Sequence, residues 1–396
     1  MPLAERVLKL TESETLKMAK MARELKEKGH DVISLSLGEP DFDTPKHIKK
    51  AAKDALNHGI TKYTPVSGSL ELRKAIIDKF KKENNLEFEP TQIVVSNGAK
   101  QSIYNLCMSI LNPDDECIIL APYWVSYAEI VKMADGIPVF VSAGIDKDFK
   151  ASAKDIEKAI TPKTKMLLFS SPCNPTGSVF TKKELSAIAD VMAKYPDIYI
   201  VSDEIYEYIN FSGKHASIGS IDKVRNQTIT VNGFSKGYSM TGWRIGYIGA
   251  PKEVAAACEK IQGQVTSGAS SFGQIAAAFA LTYSNRATDL MRKEFKKRRD
   301  LVIDLLGKVE GIKVNHPDGA FYVFPDISYY FGKSDGTTTI KNADDFCDYL
   351  MLNAYVGVVS GSAFGDNNCF RLSYAASESQ LTEAISRIAK ALAKLK

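Results

Sequence analysis

Long hydrophobic runs and an excess of charge of one sign are both missing from this 396-residue sequence. No stretch approaches the length of a membrane span, and the first residues contain no apolar core of signal-peptide length, so we expect a cytoplasmic protein. Lysine and arginine number 51 against 47 aspartates and glutamates, a net charge of +4. Because positive and negative charges are nearly balanced, we expect neither nucleic acid nor a membrane surface as a partner.

Histidine and cysteine are few and scattered. The five histidines show no HExxH or other paired spacing, so we expect no metal site. The six cysteines include no CxxC pair, and a chain of this length does not need disulfide bonds to be stable, which favours reduced thiols. What is present is the composition of an ordinary globular protein, with 44% hydrophobic and 25% charged residues.

Helical patterns alternate with short apolar strands from about residue 45 to about residue 280. The runs with the length and composition of strands are residues 92–95, 117–120, 138–141, 165–169, 198–201, 228–231 and 245–248. This alternation is typical of an α/β fold in which a mostly parallel sheet carries helices on both faces. We therefore predict a large domain over residues 45–285.

The pattern changes after about residue 285. A long helical stretch at 287–307 is followed by short strand-like runs and a final amphipathic helix, which predicts a smaller α+β domain over residues 286–396. We expect residues 1–44 to join this smaller domain. The basic run 296–299 lies in the long helix beside acidic residues, and we interpret it as a solvated face.

Three consecutive predicted strands of the large domain lead to residues with useful chemistry. Asn174 follows the fourth strand, Asp203 and Tyr206 follow the fifth, and Lys236 follows the sixth. In open α/β sheets, ligands bind beyond the carboxyl ends of the strands. A single lysine is most often a surface residue, and a single aspartate is most often a turn or cap residue. Their coincidence at three strand ends indicates one shared site.

The chemistry of these residues fits pyridoxal phosphate. A lysine amine such as Lys236 can form a Schiff base with an aldehyde and then act as a general base and acid. Asp203 can keep the pyridine nitrogen protonated, and Asn174 and Tyr206 can donate hydrogen bonds to the phenolate oxygen of the ring. Arg244, eight residues after Lys236, can bind the phosphate.

Other positions give weaker signals. Gly98, Ala99 and Lys100 lie where a predicted strand meets a helix, and the free amides of a helix start can bind phosphate. Trp124 can stack on the cofactor ring, with a place in the core as the alternative interpretation. Arg371 lies between apolar residues of a predicted strand and can capture a carboxylate, with a surface cation on an edge strand as the alternative.

With these residues assembled, the chain resembles a class I pyridoxal-phosphate-dependent aminotransferase of fold type I, an enzyme of amino-acid metabolism. Within that family it is similar to the bacterial-type aspartate aminotransferase branch, which includes the bifunctional aspartate/prephenate aminotransferases. The resemblance covers nearly the whole chain and rests on residues 38–45, 63–65, 71–73, 98–101, 122–127, 174–177, 202–206, 235–246 and 370–374. It implies a seven-stranded, mostly parallel sheet in the large domain, and a homodimer with a shared active site.

The resemblance also implies how the cofactor is bound. Lys236 is expected to be the Schiff-base lysine, Asp203 the partner of the pyridine nitrogen, Asn174 and Tyr206 the ligands of the ring oxygen, and Trp124 the stacking residue.

The phosphate is expected to lie between Arg244 and the amides of residues 98–100, and Tyr63 is expected to reach the phosphate of the neighbouring subunit. Many relatives carry a serine where this chain has Gly233, so a hydroxyl such as that of Ser235 is expected to replace it.

The substrate's α-carboxylate is expected to bind Arg371, Asn174 and the backbone of Gly38. A dicarboxylate needs a second cation, and the segment 264–271, where another branch of the family places an arginine, contains none. Lys100 is the available substitute. We therefore predict L-aspartate and L-glutamate as amino donors, with 2-oxoglutarate and oxaloacetate as acceptors.

Other functions stay open as alternatives. Neutral or aromatic amino acids can be accepted if Lys100 rotates away from an apolar side chain. Prephenate is another candidate acceptor, although the N-terminal motif 11–15 keeps Ser13 and Thr15 but lacks the lysine of the bifunctional relatives. A pyridoxal-phosphate lyase can share the fold. A transcription regulator with an aminotransferase-like domain would need a DNA-binding domain larger than residues 1–44.

Overall fold

The computed structural model of the chain describes residues 3–12 and 14–396, so Ser13 of the N-terminal motif lies outside the described residues. The α-helices of the described part are α1 (Glu5–Leu8), α2 (Glu14–Glu27), α3 (Lys46–Asn57), α4 (Leu70–Lys79), α5 (Ala99–Ile110), α6 (Ser126–Met133), α7 (Ala153–Ala159), α8 (Lys182–Met192), α9 (Lys252–Val265), α10 (Ser271–Thr282), α11 (Arg286–Leu306), α12 (Ala343–Asn353) and α13 (Glu378–Leu392). Helix α4 continues into one π-helical turn, Phe80–Asn84. No helix in the described part is both long and apolar enough to cross a membrane.

The strands fall into one large sheet and two small ones. They are β1 (Ile33–Ser34), β2 (Ile93–Ser96), β3 (Glu116–Ala121), β4 (Ile137–Ser142), β5 (Thr164–Ser170), β6 (Tyr199–Asp203), β7 (Thr228–Gly233), β8 (Gly246–Gly249), β9 (Tyr322–Val323), β10 (Val356–Gly357), β11 (Val359–Ser360) and β12 (Phe370–Ser373). Among the described residues the large sheet has seven strands in the order β2-β8-β7-β6-β5-β3-β4. Each corresponds to a strand predicted from the sequence, so the α/β prediction is confirmed.

The large sheet is parallel except for β8, which runs antiparallel to both of its neighbours. Its central strands are apolar at nearly every position because both faces are covered by helices. Along β5, Leu168 packs into the cluster that includes residues of α5, α6 and α9, whereas Leu167 and Phe169 pack on the other face with residues of α8. This two-sided burial explains why the strands appear in the sequence as short apolar runs.

The carboxyl ends of β5, β6 and β7 lie side by side in the middle of this sheet. Ser170 is in register with Asp203, and Asp203 is in register with Val231. Because the three strands are parallel neighbours, the loops that follow them leave the sheet at the same edge. The chain segments that carry Asn174, Tyr206 and Lys236 are therefore brought together by the topology alone.

The C-terminal part of the chain packs against the N-terminal segment. Strand β1 pairs in parallel with β10, while β9, β11 and β12 form a small antiparallel sheet. Met18, Ala22 and Leu35 share one apolar cluster with residues of α11, α12 and α13. These contacts agree with the division that we propose, in which residues 1–44 join a smaller domain, 286–396, beside a large domain, 45–285.

The basic run in α11 is not a solvated face throughout, and that interpretation was wrong for its two arginines. Arg298 and Arg299 are 7% and 4% exposed. Arg298 forms an ion pair with Asp41 at 2.7 Å and lies over the Phe42 ring, and Arg299 donates to the Pro317 carbonyl at 2.9 Å. Arg298 faces the loop containing Asp41, and Arg299 pairs with the neighbouring Asp300 at 2.6 Å, so both charges are paired instead of solvated.

Candidate active site

A cavity of about 320 Å³ lies at the edge of the sheet where β5, β6 and β7 end. The residues predicted from the sequence that line it are Gly38, Ala99, Lys100, Trp124, Asn174, Asp203, Tyr206, Ser235, Lys236, Arg244 and Arg371. They come from both proposed domains, so the cavity lies between them. The structure thus gathers most of the predicted site residues into one space.

Lys236 lies in the loop that follows β7 and is partly buried. Its Nζ donates to the Gly38 carbonyl at 2.5 Å. Burial lowers the pKa of Lys236 to about 8, and the positive charges of Arg371 and Arg244 act in the same direction. A lysine with such a pKa is partly neutral near physiological pH, and can therefore act as a nucleophile and as a base.

Gly233, the last residue of β7, is the position for which the resemblance suggested a serine in relatives. A Cβ at this position would come within 3.0 Å of the Cα of Gly246 and of the Ile245 carbonyl oxygen. A side chain here would therefore need the start of β8 to shift by a few tenths of an ångström, and glycine avoids that shift. Ser235, which we expected to supply a hydroxyl instead, lines the cavity.

Asp203, the last residue of β6, is 4% exposed. One carboxylate oxygen accepts a hydrogen bond from the Tyr127 hydroxyl at 2.6 Å, and the other accepts from the Ile205 backbone N–H at 3.2 Å. Burial raises the pKa of Asp203 to about 6, although both hydrogen bonds act to lower it. The sequence did not single out Tyr127 as a site residue, because an aromatic residue at the start of an amphipathic helix is most often part of the core.

Arg371 on β12 is 2% exposed, which rules out the alternative that it is a surface cation. Its guanidinium donates to Asn174 Oδ1 at 2.9 Å and to the Ser36 carbonyl at 2.5 Å. Its Nε has no hydrogen-bond partner among the described residues. A buried guanidinium with unused donor capacity at the wall of a cavity is suited to bind a carboxylate.

Tyr322 is a second residue of the cavity that the sequence did not indicate. Its hydroxyl lies 2.7 Å from that of Tyr206, and its ring lies 4.6 Å from the guanidinium carbon of Arg371. It belongs to β9, in a part of the chain far from Tyr206, and looks like a core aromatic in the sequence. Tyr206 and Tyr322 together place two hydroxyl groups at the cavity wall.

Gly98 and Arg244 form a second polar end of the site. Gly98 caps helix α5 with φ of 84°, and a Cβ there would lie 2.4 Å from a guanidinium nitrogen of Arg244. The first N–H groups of α5 and the guanidinium are therefore close together only because residue 98 is glycine. Free helix amides beside an arginine form a cradle for a phosphate group, so these residues fit a phosphorylated cofactor.

Lys100 and Trp124 lie next to each other at the wall of the cavity. The Lys100 Nζ is 5.0 Å from the centre of the Trp124 ring, and burial, followed by the charge of Arg244, lowers the pKa of Lys100. Thr15 of the N-terminal motif and the adjacent Leu16 line the cavity too. A cation, an aromatic face and an apolar side chain are thus all available to a substrate side chain.

Tyr63 is not part of this cavity. It lies between α3 and α4 and is 98% exposed. Its expected contact with the phosphate of a neighbouring subunit stays a prediction, because the structure holds one chain.

The comparisons with known proteins agree with this geometry. The family model of aminotransferases of class I and II matches residues 30–388. The chain is 47% identical, over all of its length and 83% of the relative, to a bifunctional aspartate aminotransferase and glutamate/aspartate-prephenate aminotransferase of Petunia hybrida. It is 48% identical to a probable aspartate/prephenate aminotransferase of Rhizobium leguminosarum bv. phaseoli, over 98% of the chain and 97% of the relative.

Solved structures give the same result. An aspartate aminotransferase from Rhizobium meliloti superposes with a TM-score of 0.97 at 41% identity, over all of both chains. An aromatic aminotransferase from Pyrococcus horikoshii OT3 superposes with a TM-score of 0.87 at 41% identity, over 94% of this chain and 98% of that one.

Proposed function

Because the chain belongs to the aminotransferases of class I and II, we propose that it transfers the amino group between L-aspartate or L-glutamate and 2-oxoglutarate or oxaloacetate. We propose pyridoxal 5'-phosphate as the cofactor. The observation that carries this proposal is that Lys236, Asp203 and Arg371 line one cavity. There they could bind the aldehyde and the ring nitrogen of the cofactor and the carboxylate of the substrate, respectively. The functions of the relatives from Petunia hybrida and Rhizobium leguminosarum and of the Rhizobium meliloti enzyme support the choice of aspartate.

The cofactor would be held by residues that the chain already aims at the cavity. Arg244, the N–H groups of Ala99 and Lys100 and the Ser235 hydroxyl would bind its phosphate, whereas the Gly98 N–H, also expected there, donates to the Ser96 carbonyl at 2.7 Å. Asp203 would bind the protonated ring nitrogen, Asn174 and Tyr206 the ring oxygen, and Trp124 the face of the ring. When bound, pyridoxal phosphate supplies a ring that withdraws electrons from the α-carbon of the substrate.

The chain supplies substrate binding and proton transfer. Arg371, Asn174 and the backbone of Gly38 would hold the α-carboxylate, which fixes the α-carbon in the cavity. The Lys236 Nζ would accept a proton from that carbon and return one, and a pKa of about 8 allows both directions near neutral pH. Lys100 would bind the distal carboxylate of aspartate.

We also propose that the enzyme is a cytoplasmic homodimer. In the single chain the Tyr63 side chain extends into solvent, and the apolar surface of its ring is exposed. A second copy that receives this side chain near its phosphate site would bury it and complete both cavities.

Two substitutions test the proposal. Lys236→Ala should abolish amino transfer from aspartate to 2-oxoglutarate, while Lys252→Ala, at an exposed lysine of α9, should leave it unchanged. Lys100→Ala should lower kcat/KM for aspartate more than kcat/KM for phenylalanine. Unchanged aspartate turnover in Lys100→Ala would overturn the assignment of the distal carboxylate.

Neutral or aromatic amino acids are the second candidate substrates. The likeness to an aromatic aminotransferase supports this alternative, while the names of the curated relatives support prephenate as a further candidate acceptor. A half-reaction screen against about twenty amino acids separates the two substrate classes. A lyase would release product without passing the amino group to a second keto acid, so stoichiometric formation of glutamate from 2-oxoglutarate distinguishes the two reaction types.

A further inference from the structure

Among the described residues, Tyr127 is the one whose side chain donates a hydrogen bond to the Asp203 carboxylate. Tyr127 lies in the first turn of α6, is 1% exposed and lines the cavity. Its hydroxyl donates to Asp203 Oδ2 at 2.6 Å, while Asp203 Oδ1 accepts from the Ile205 N–H at 3.2 Å. Each carboxylate oxygen thus has one donor from the protein and can accept another, because an ionised carboxylate offers about four acceptor sites.

The position of the Tyr127 hydroxyl is fixed by the packing of its ring. The ring meets the Trp124 ring edge to face, with centres 5.5 Å apart and planes at 89°, and it belongs to the apolar cluster on one face of the large sheet. One side chain therefore touches both the carboxylate expected to hold the ring nitrogen and the indole expected to stack on the ring. A hydroxyl on so rigid a support can orient a carboxylate.

We propose that Tyr127 is a positioning residue, which keeps Asp203 ionised and aimed at the ring nitrogen of the cofactor by donating a neutral hydrogen bond. This inference rests on the proposed function, because it assigns a role to Tyr127 through the cofactor partner Asp203.

A neutral donor serves this purpose better than a cation. An arginine or lysine beside Asp203 would keep it ionised but would also offset the negative charge that attracts a pyridinium proton. A hydroxyl stabilises the carboxylate and leaves its net charge intact. Burial, with the nearby charge of Asp203, raises the pKa of Tyr127 far above its usual range, so the hydroxyl stays protonated at every working pH.

The need for such a donor follows from the burial of Asp203. Burial raises the pKa of this carboxyl to about 6, and the Tyr127 hydroxyl opposes the rise. The other titratable groups that act on Asp203 are Glu204, next to it in the chain, and Lys236, in the loop after β7; Cys173 acts on Tyr127. A protonated Asp203 could not hold a proton on the ring nitrogen, so losing the donor should impair the site as the pH falls.

The decisive experiment uses Tyr127→Phe, which removes the hydroxyl and keeps the ring. In the cofactor-free protein, carboxyl carbon NMR of ¹³C-labelled aspartates, with the Asp203 signal assigned by its loss in Asp203→Asn, reports the pKa of Asp203. We expect a higher pKa in Tyr127→Phe than in the wild type. An equal pKa in both proteins would overturn the proposal, whatever the enzyme does with a cofactor.

A second measurement uses the protein loaded with pyridoxal phosphate that carries ¹⁵N in its ring. The ¹⁵N shift should show a protonated nitrogen in the wild type at pH 7.5 and a smaller protonated fraction in Tyr127→Phe. Because a hydrogen bond to a charged group is lost, kcat should fall by about ten- to a hundredfold, with a smaller change in KM. A ring nitrogen that titrates identically in both proteins would overturn the proposal.

Tyr123→Phe is the matched control. Tyr123 lies just before the same helix and stacks on Phe140, outside the residues that line the cavity. Its substitution should change neither the Asp203 titration nor the ¹⁵N shift. Failure of the wild type to bind pyridoxal phosphate would overturn the proposed function, and the cofactor-free titration would then decide separately whether Tyr127 controls the ionisation of Asp203.

Discussion

Asp203 and Glu204 are consecutive residues at the end of β6, yet they serve two different environments. Asp203 lines the cavity and keeps unused acceptor capacity. Glu204, fully buried, is turned away into a polar network outside the residues that line the cavity. It accepts hydrogen bonds from Ser202 Oγ at 3.1 Å, Ser217 Oγ at 2.6 Å, His215 Nε2 at 2.9 Å and Asn84 Nδ2 at 3.2 Å.

The network around Glu204 continues to a buried ion pair. Lys79 pairs closely with Glu207 and donates to Asn84 Oδ1 at 2.7 Å, and Asn84 donates in turn to Glu207 at 2.7 Å. Burial acts to raise the pKa of Glu207, but the charges of Lys79 and His215 and the hydrogen bonds from Lys79 and Asn84 together outweigh it, so the pKa is lowered. Asn84 reaches both glutamates from the π-helical turn that ends α4.

The difference between the two carboxylates teaches how one strand end serves both stability and chemistry. A buried carboxylate with all of its partners rigidifies the fold. A buried carboxylate with spare acceptor capacity costs stability, and the fold retains it because a ligand can use that capacity. In the cofactor-free protein, removing the charge of Glu204 should therefore lower the free energy of unfolding, whereas removing the charge of Asp203 should raise it.

The largest effect on stability is expected for Glu204→Gln. The amide nitrogen of glutamine cannot accept the hydrogen bonds that Glu204 accepts, and His215 and Lys79 lose part of their balancing charge. We expect the free energy of unfolding to fall by about 3–5 kcal/mol, the usual cost of breaking a buried ionic contact. Urea unfolding at pH 7 measures it, with Glu24→Gln at an exposed position of α2 as the control. Equal unfolding midpoints for the two variants would contradict the distinction.

The next effect concerns activity. Asp203→Asn should lower kcat for amino transfer by about 100- to 1,000-fold, because the group that stabilises the charge of the cofactor ring is lost. Steady-state kinetics with aspartate and 2-oxoglutarate measure it. The kcat of the folded fraction of Glu204→Gln should fall much less than that of Asp203→Asn. If both variants lost kcat equally, the assignment of one carboxylate to the ring and the other to the fold would be wrong.

A smaller effect is expected on the stability of cofactor-free Asp203→Asn. The folded pKa of Asp203, about 6, lies above the unfolded value near 3.9, so the native state binds more protons between these values and wild-type stability falls as the pH rises through 6. Asparagine does not titrate, so the stability of Asp203→Asn does not fall in this way as the pH rises. At pH 8 the variant should be more stable than the wild type by about 2–3 kcal/mol, and the gain should vanish near pH 4. Chemical unfolding at both pH values checks it, and lower stability than wild type at pH 8 would contradict the argument.

The sequence predicted those parts of the site that strand order controls. Asn174, Asp203 and Lys236 follow β5, β6 and β7, and parallel neighbours deliver their loops to one edge whatever the rest of the chain does. The apolar runs that form these strands are local features, so their positions were predicted to within two residues.

The parts that were not predicted depend on contacts between distant segments. Tyr127 and Tyr322 look like core aromatics because only the fold shows that one meets Asp203 and the other meets Tyr206. Arg298 looked solvated because Asp41, its partner, lies in a loop at the other end of the chain. Charged or aromatic residues show their partners only in three dimensions.

The smallest effect concerns His215, the one histidine that contacts Glu204 among the described residues. Burial acts to lower the pKa of His215, but the charge of Glu204, the hydrogen bond to it and the charge of Glu207 together outweigh burial, so the pKa is raised. Its stabilising contribution is therefore complete below the unfolded value near 6.5 and is lost as the pH rises through the folded pKa. His215→Gln can still donate to Glu204 but does not titrate, so urea unfolding should show that its stability deficit relative to wild type shrinks from pH 6 to pH 9. If the stability difference between His215→Gln and the wild type stayed constant from pH 6 to pH 9, His215 would be a neutral donor to Glu204 in the folded protein. The ionisation of His215 would then contribute nothing to the pH dependence of stability.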